Sequence, residues 1–134
     1  MVIAGFSFKK ILAEKLETAK GSVKVDVKMN VKDIIREEIK LGNKDALKLM
    51  FSFSVDYTPK IADLVLEGEL IFMDEPKKIK KILDSWKDKK LDEEIRVNVF
   101  NFLMNRCNLK SLFLEEELGL PFHLPLPRVK PEKK

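Results

Sequence analysis

Polar and apolar residues alternate with period two along most of the first half of the chain. In "VKVDVKMNV" (23–31), Val23, Val25, Val27, Met29 and Val31 share one face, and Lys24, Asp26, Lys28 and Asn30 share the other. That pattern predicts a half-buried strand. "ALKLMFSFSVDY" (46–57) repeats it, with Leu47, Leu49, Phe51, Phe53, Val55 and Tyr57 opposite Lys48, Ser52, Ser54 and Asp56. "IADLVLEGELIFM" (61–73) sets Ala62, Leu64, Leu66, Leu70 and Phe72 on one side. Gly68 in its middle marks a bulge or a close backbone approach. The first segment, "FSFKKILAEKLE", has Phe6, Phe8, Ile11 and Ala13 as one apolar set, and Leu12 and Leu16 as another. Its phase changes near Lys9–Lys10, as at a β-bulge. Gly21–Ser22, Gly42–Asn43 and Thr58–Pro59–Lys60 are turn signals between these runs. "DIIREEIKLGNKD" (33–45) fits either a helical turn or a continued strand.

From Pro76 onward the period lengthens. Pro76, behind Asp74 and Glu75, suits a helix first turn, and Ile79, Ile82, Leu83 and Trp86 form one stripe. Asp92 is an N-cap candidate, followed by Glu93 and Glu94 in the first turn. Ile95, Val99, Phe102, Leu103, Leu109, Leu112 and Phe113 then keep helical spacing, with Gly119 as C-cap and Pro121 as stop. Asn108 leaves open whether this is one helix or two. Strands followed by helices predict an α+β fold, a four-stranded antiparallel sheet with C-terminal helices packed on one face. Residues 1–129 are expected to form one domain and 130–134 a basic disordered tail.

Composition narrows the class. The chain has 134 residues, 45% hydrophobic and 36% charged, with no Gln and a net charge of +4. One core is affordable at this length, and the charged surface suits a thermophile's protein. The basic character is local: Lys77–Lys90 carries +5 and Arg128–Lys134 carries +3, so the remainder is −4. The single Cys107 fits a reducing compartment. The apolar start lacks a signal peptide's leading basic residues, and no apolar run reaches about 18 residues. A cytoplasmic protein with no membrane insertion is expected.

Candidate chemistry is sparse. His123 is the only histidine and is far from Cys107 in sequence. No metal site or catalytic set is predicted, no cofactor is implied, and the chain is not expected to be an enzyme. A Cys107–His123 nucleophile pair is conceivable, but a buried cysteine and a loop histidine is the plainer reading. Glu115–Glu116–Glu117 reads as a solvated helix face. The Lys-rich helix 77–90 reads as a docked helix with a solvated cationic face. Its alternative is a ribosome- or RNA-associated surface. Arg36, Arg96, Arg106 and Arg128 are scattered, which weakens that alternative.

The remaining feature is "LGLPFHLPLPRV" (118–129), apolar yet broken by three prolines. With it, the chain resembles the SecB family of ATP-independent export chaperones, in particular its divergent SecB-like members. The resemblance runs over about residues 8–129. It rests on "ILAEKLETAKG" leading to "VKVDVKM", then "LKLMFSFSVDY" and "ADLVLEGELIFM", then the helix "VNVFNFLMNRCNLKSL" with an arginine at Arg106 or Arg96, and last the Pro/Leu-rich segment itself. The resemblance implies a SecB-like sheet with helices on one face and a homo-oligomer, a dimer or a tetramer. It implies a holdase that keeps unfolded or nascent polypeptide clients in an apolar groove. By that match the groove candidates are Phe51 and Phe53 on the third strand and Leu120, Phe122, Leu124 and Leu126 in the segment after the long helix. SecB proper is acidic and docks on the SecA motor through its sheet. This chain is basic at Lys77–Lys90, so SecA docking does not carry over. A general holdase, a ribosome-proximal one and a chaperone dedicated to one client such as an antitoxin all stay open.

Overall fold

The computed structural model describes residues 1–18 and 20–132. Four strands, β1 (Val2–Lys15), β2 (Lys24–Leu41), β3 (Lys44–Thr58) and β4 (Ala62–Asp74), are followed by α1 (Pro76–Trp86) and α2 (Glu93–Leu118). The strands form one antiparallel sheet in the order β1-β4-β3-β2. β3 and β4 are therefore central, and β1 and β2 are edges. Of the basic tail, residues 133 and 134 lie outside the described residues, as does Ala19 in the segment after β1.

The alternation of the central strands sets the core. Leu47, Leu49, Phe51, Phe53, Val55, Leu64, Leu66, Leu70 and Phe72 have no accessible surface. They face Ile79 of α1 and Val99, Leu103 and Cys107 of α2. The opposite sheet face is polar and carries ion pairs, including Lys48 with Glu37 and Glu69, and Lys32 and Lys10 with Glu67. Pairs this exposed contribute little each; their main effect is to fix which face is wet.

Register shifts retune the edges, two in each edge strand. In β1 the register shifts between Phe8 and Lys10, so Phe6 and Phe8 and then Ile11 and Ala13 line the helix side. Gly68 pairs with Phe8 and Phe51 across this shift. A Cβ there would lie 2.3 Å from the Ser7 carbonyl oxygen and 3.0 Å from the Phe51 ring, so close approach is the reason for the glycine. In β2 the register shifts between Val31 and Asp33. The inward set passes from odd to even positions, and Ile34 rather than Asp33 enters the core. Residues 33–41 thus continue the strand.

Pro76 occupies the first turn of α1, and α2 runs unbroken past Asn108. Asp92 stands at the N-cap of α2 without a side-chain cap bond. At the other end Gly119 is left-handed, φ 63°. The Leu120 N–H returns to the Glu115 carbonyl at 2.8 Å and the Gly119 N–H to Glu116 at 3.2 Å. This Schellman-type closure ends the helix and aims the following chain back across the sheet. Among the described residues no helix is long and apolar enough to cross a membrane.

Candidate functional site

The strap after α2 (120–129) has no regular secondary structure. Its prolines hold it extended, and a buried anchor holds it to the body. Every fourth residue of α2 from Val99 points at the sheet: Val99, Leu103, Cys107, Ser111 and Glu115 are all buried. At the end of this stripe the Glu115 carboxylate, with no accessible surface, accepts the Tyr57 hydroxyl of β3. It also accepts the backbone N–H of His123 at 3.3 Å and faces His123 Nδ1 at 2.9 Å. His123 Nε2 lies 2.9 Å from Asn108 Oδ1. The Pro121 carbonyl is 3.3 Å from the Tyr57 hydroxyl. Burial, followed by the hydrogen bond to Glu115, raises the Tyr57 phenol well above its ordinary value, so it stays a donor.

Glu115 is therefore not part of a solvated face; only Glu116 and Glu117 are. The sign was present in the sequence, since Glu115 continues the four-residue stride of Val99, Leu103 and Cys107. The Cys107–His123 pair does not form, because both His123 nitrogens are engaged elsewhere. Burial alone pushes the Cys107 thiol up to about 12, which keeps it protonated and inert at neutral pH.

This anchor divides the strap residues. Leu120 is buried against the core, and the His123 side chain is almost fully buried. Phe122, Leu124 and Leu126 face out, 43%, 38% and 47% exposed, and with Pro121, Pro125 and Pro127 they line a shallow apolar concavity. Phe51 and Phe53 are in another position altogether. Both have no accessible surface. Phe51 stacks on Phe6, whose ring meets Phe102 of α2, and Phe53 meets the edge of His123. In this arrangement they are the packed floor beneath α2 and the strap rather than an open wall. Alternation in a central strand reports the covered face, and α2 covers it.

Two further apolar areas flank α2. On the β1 side, Leu109 and Phe113 are 69% and 55% exposed. They border Phe6 and Phe8, with the Arg106 guanidinium over the Phe6 and Phe102 rings. On the β2 side a recess is lined by Met29, Val31, Trp86, Leu91, Arg96 and Phe100. Here the Trp86 indole N–H donates to Asp33 Oδ1 at 3.1 Å and the Ile34 N–H to the same oxygen at 2.8 Å. These bonds, the Trp86 one first, hold the Asp33 carboxyl below the usual carboxylate range. Motif reading did not find this recess, because it joins three elements that are distant in sequence.

The architecture matches a solved structure of a SecB-like chaperone from Mycobacterium tuberculosis, in complex with a ChAD peptide from an antitoxin. The match has a TM-score of 0.55 over 97% of this chain and 91% of that one, at 12% identity. The fold is SecB-like. At that identity the likeness concerns the fold alone. No family model and no curated protein matches the sequence. In the SecB-like arrangement, a four-stranded sheet carries its helices on one face, as the order of strands and helices predicts.

Proposed function

We propose that the protein is an ATP-independent holdase that binds extended or unfolded polypeptide segments through the outward residues of the strap, Phe122, Leu124 and Leu126. The observation that carries this reading is a row of exposed apolar side chains on a segment pinned from beneath by the Glu115–His123–Tyr57 anchor. Apolar surface held open by design is unusual on a soluble domain. Prolines keep such a strap extended at small entropic cost. Many weak apolar contacts give affinity without side-chain specificity, as a holdase requires. The SecB-like fold, seen in a chaperone solved with a peptide, supports the same reading. Phe51, Phe53 and Leu120 support the groove from below. No catalytic step and no cofactor is invoked, and a reducing, cytoplasmic setting suits the single buried thiol.

Assembly is part of the proposal. α2 is apolar on two sides, and its outer stripe, Leu109 and Phe113, is too exposed for a helix finished as a monomer surface. A homodimer or tetramer covering it is expected, and light scattering on wild type and on L109E/F113E measures it.

The central test is suppression of aggregation of a chemically denatured enzyme at stoichiometric ratio, without nucleotide. Wild type is expected to suppress, and F122S/L124S/L126S to lose most of the effect while keeping its fold. Absence of suppression, together with absence of binding to any extended peptide, defeats the holdase reading. A second reading rests on the exposed lysines of α1, which leave only Ile79 and Ile82 of that helix buried. An RNA-associated role predicts affinity that falls steeply with salt, and a gel shift across a salt series decides it.

A further inference from the structure

A cavity of about 270 Å³ lies between α1 and the first turns of α2. Asp74, which borders it, pairs with Asp45, at the end of the sheet opposite Tyr57. The cavity is therefore remote from the strap. Ile82, buried, and Ile95, half-buried, give it apolar surface. Asp74 is buried and already satisfied: its carboxylate accepts the Glu75 N–H at 2.8 Å and lies 3.4 Å from the Met1 amine.

The other polar groups around the cavity are not engaged. α1 contributes Lys78, Lys81 and Ser85, and α2 contributes Asp92, Glu94 and Asn98. Among the described residues none of these six side chains is hydrogen-bonded, and none is ion-paired within 4.0 Å. Even Asp92, at the N-cap of α2, makes no side-chain cap bond. Charge is arranged differently on the strands, where Lys9, Lys10, Lys28, Lys32 and Lys48 each have a carboxylate within 4.0 Å. The turn after α1 is itself bonded, Lys89 N–H to the Trp86 carbonyl at 2.8 Å and Lys90 N–H to the Ser85 carbonyl at 3.2 Å, which holds the α1 wall in place.

The cleft thus has a cationic wall on α1 and an anionic wall on α2, too far apart to pair directly. A molecule that carries both charges bridges such a gap, because it adds a hydrogen bond of about 2.9 Å at each end. A lone anion would meet Asp92 and Glu94, and a lone cation would meet Lys78 and Lys81. The volume falls below the roughly 300–1,000 Å³ of pockets for drug-sized ligands, so the occupant is small.

We infer that the α1–α2 cleft is a binding site for a small zwitterion, an aliphatic α-amino acid. Lys78 and Lys81, with the Ser85 hydroxyl, take its carboxylate. Asp92 and Glu94, with the Asn98 amide oxygen, take its ammonium group. Its side chain lies on Ile82 and Ile95. The site is separate from the strap, and it stands or falls independently of the client-binding reading.

The test is a titration of the isotope-labelled whole chain, followed by the backbone N–H shifts of Ser85, Glu94 and Asn98. The probes are L-leucine, leucinamide, which lacks the carboxylate, and 4-methylpentanoate, which lacks the ammonium. L-leucine is expected to bind with a Kd of about 1 mM or below, and each analogue at least about tenfold more weakly. The gap should narrow as salt is raised. K78Q/K81Q and D92N/E94Q change exposed side chains, and Asn caps a helix as well as Asp, so both variants should keep the fold by circular dichroism. Each should weaken L-leucine at least about tenfold. Equal binding of L-leucine and either analogue overturns the zwitterion, as does unchanged L-leucine binding in either variant. No shift at the three N–H groups with L-leucine, L-valine or L-methionine up to about 10 mM overturns the site.

Discussion

Phe53 and Phe122 are both phenylalanines in apolar runs, and they lie at the same end of the molecule. Phe53 touches His123, the immediate neighbour of Phe122, yet Phe53 has no accessible surface and Phe122 is nearly half exposed. The difference comes from their backbones. Phe53 belongs to a strand paired on both sides, whose inward row must be covered by α2. Phe122 belongs to a proline-broken segment that cannot join a ladder, and a buried ionisable anchor turns its neighbour inward in its place. Apolar content is thus spent on stability in β3 and left accessible in the strap.

The sharpest way to break this contrast is to truncate both rings. F51A or F53A is expected to cost about 3–5 kcal/mol and to lower the urea midpoint sharply. F122A should stay within about 0.5 kcal/mol of wild type in the same titration and lose client affinity. Equal destabilisation by the two kinds of variant would mean that the strap belongs to the core.

The anchor comes next. Glu115 is fully buried and bound by Tyr57 and His123, so E115A should cost about 3 kcal/mol by stranding both partners. Before global unfolding, it should also expose the strap to limited proteolysis near Leu124. A variant as stable and as protease-resistant as wild type would show that the strap is held by its apolar contacts alone.

A pH titration probes the recess beside β2. The Asp33 carboxyl is lowered in the folded state by Trp86 and Ile34. Its contribution to stability is therefore present at neutral pH and is lost as pH falls below about 4, through its folded value. The stability gap between wild type and D33N should close over that window. A gap that stays constant down to pH 3 would remove the Trp86–Asp33 contact as the tie between α1 and β2.

The smallest effect is expected at Ser111, whose buried hydroxyl has no hydrogen-bond partner among the described residues. S111A should be neutral or slightly stabilising, within about 1 kcal/mol. A clear loss would reveal a partner for the hydroxyl, and with it a polar role for the inner stripe of α2 beyond Glu115.

The fold was legible in the sequence to a large degree, and the reason is periodicity. The inward row of β3, the turn at Gly42–Asn43, the phase change at Lys9–Lys10 and the Gly119 cap are each local consequences of residue type. The segment 33–45 was ambiguous because a bulge at Val31–Asp33 resets its phase, and bulges follow from pairing with a neighbour. The site was legible only in part. The strap stood out by its prolines, and its outward residues follow from the anchor that its own histidine makes.

What the sequence determined alone is the alternation of wet and dry faces and the places where the chain must turn, because those depend on neighbours along the chain. Only the tertiary structure decided which apolar residues end up covered. It placed Glu115 under the strap against Tyr57, 58 residues away. It also brought Trp86, Arg96 and Phe100 beside Met29. Exposure and electrostatic partnership depend on what packs from outside the segment, and no local pattern carries that information.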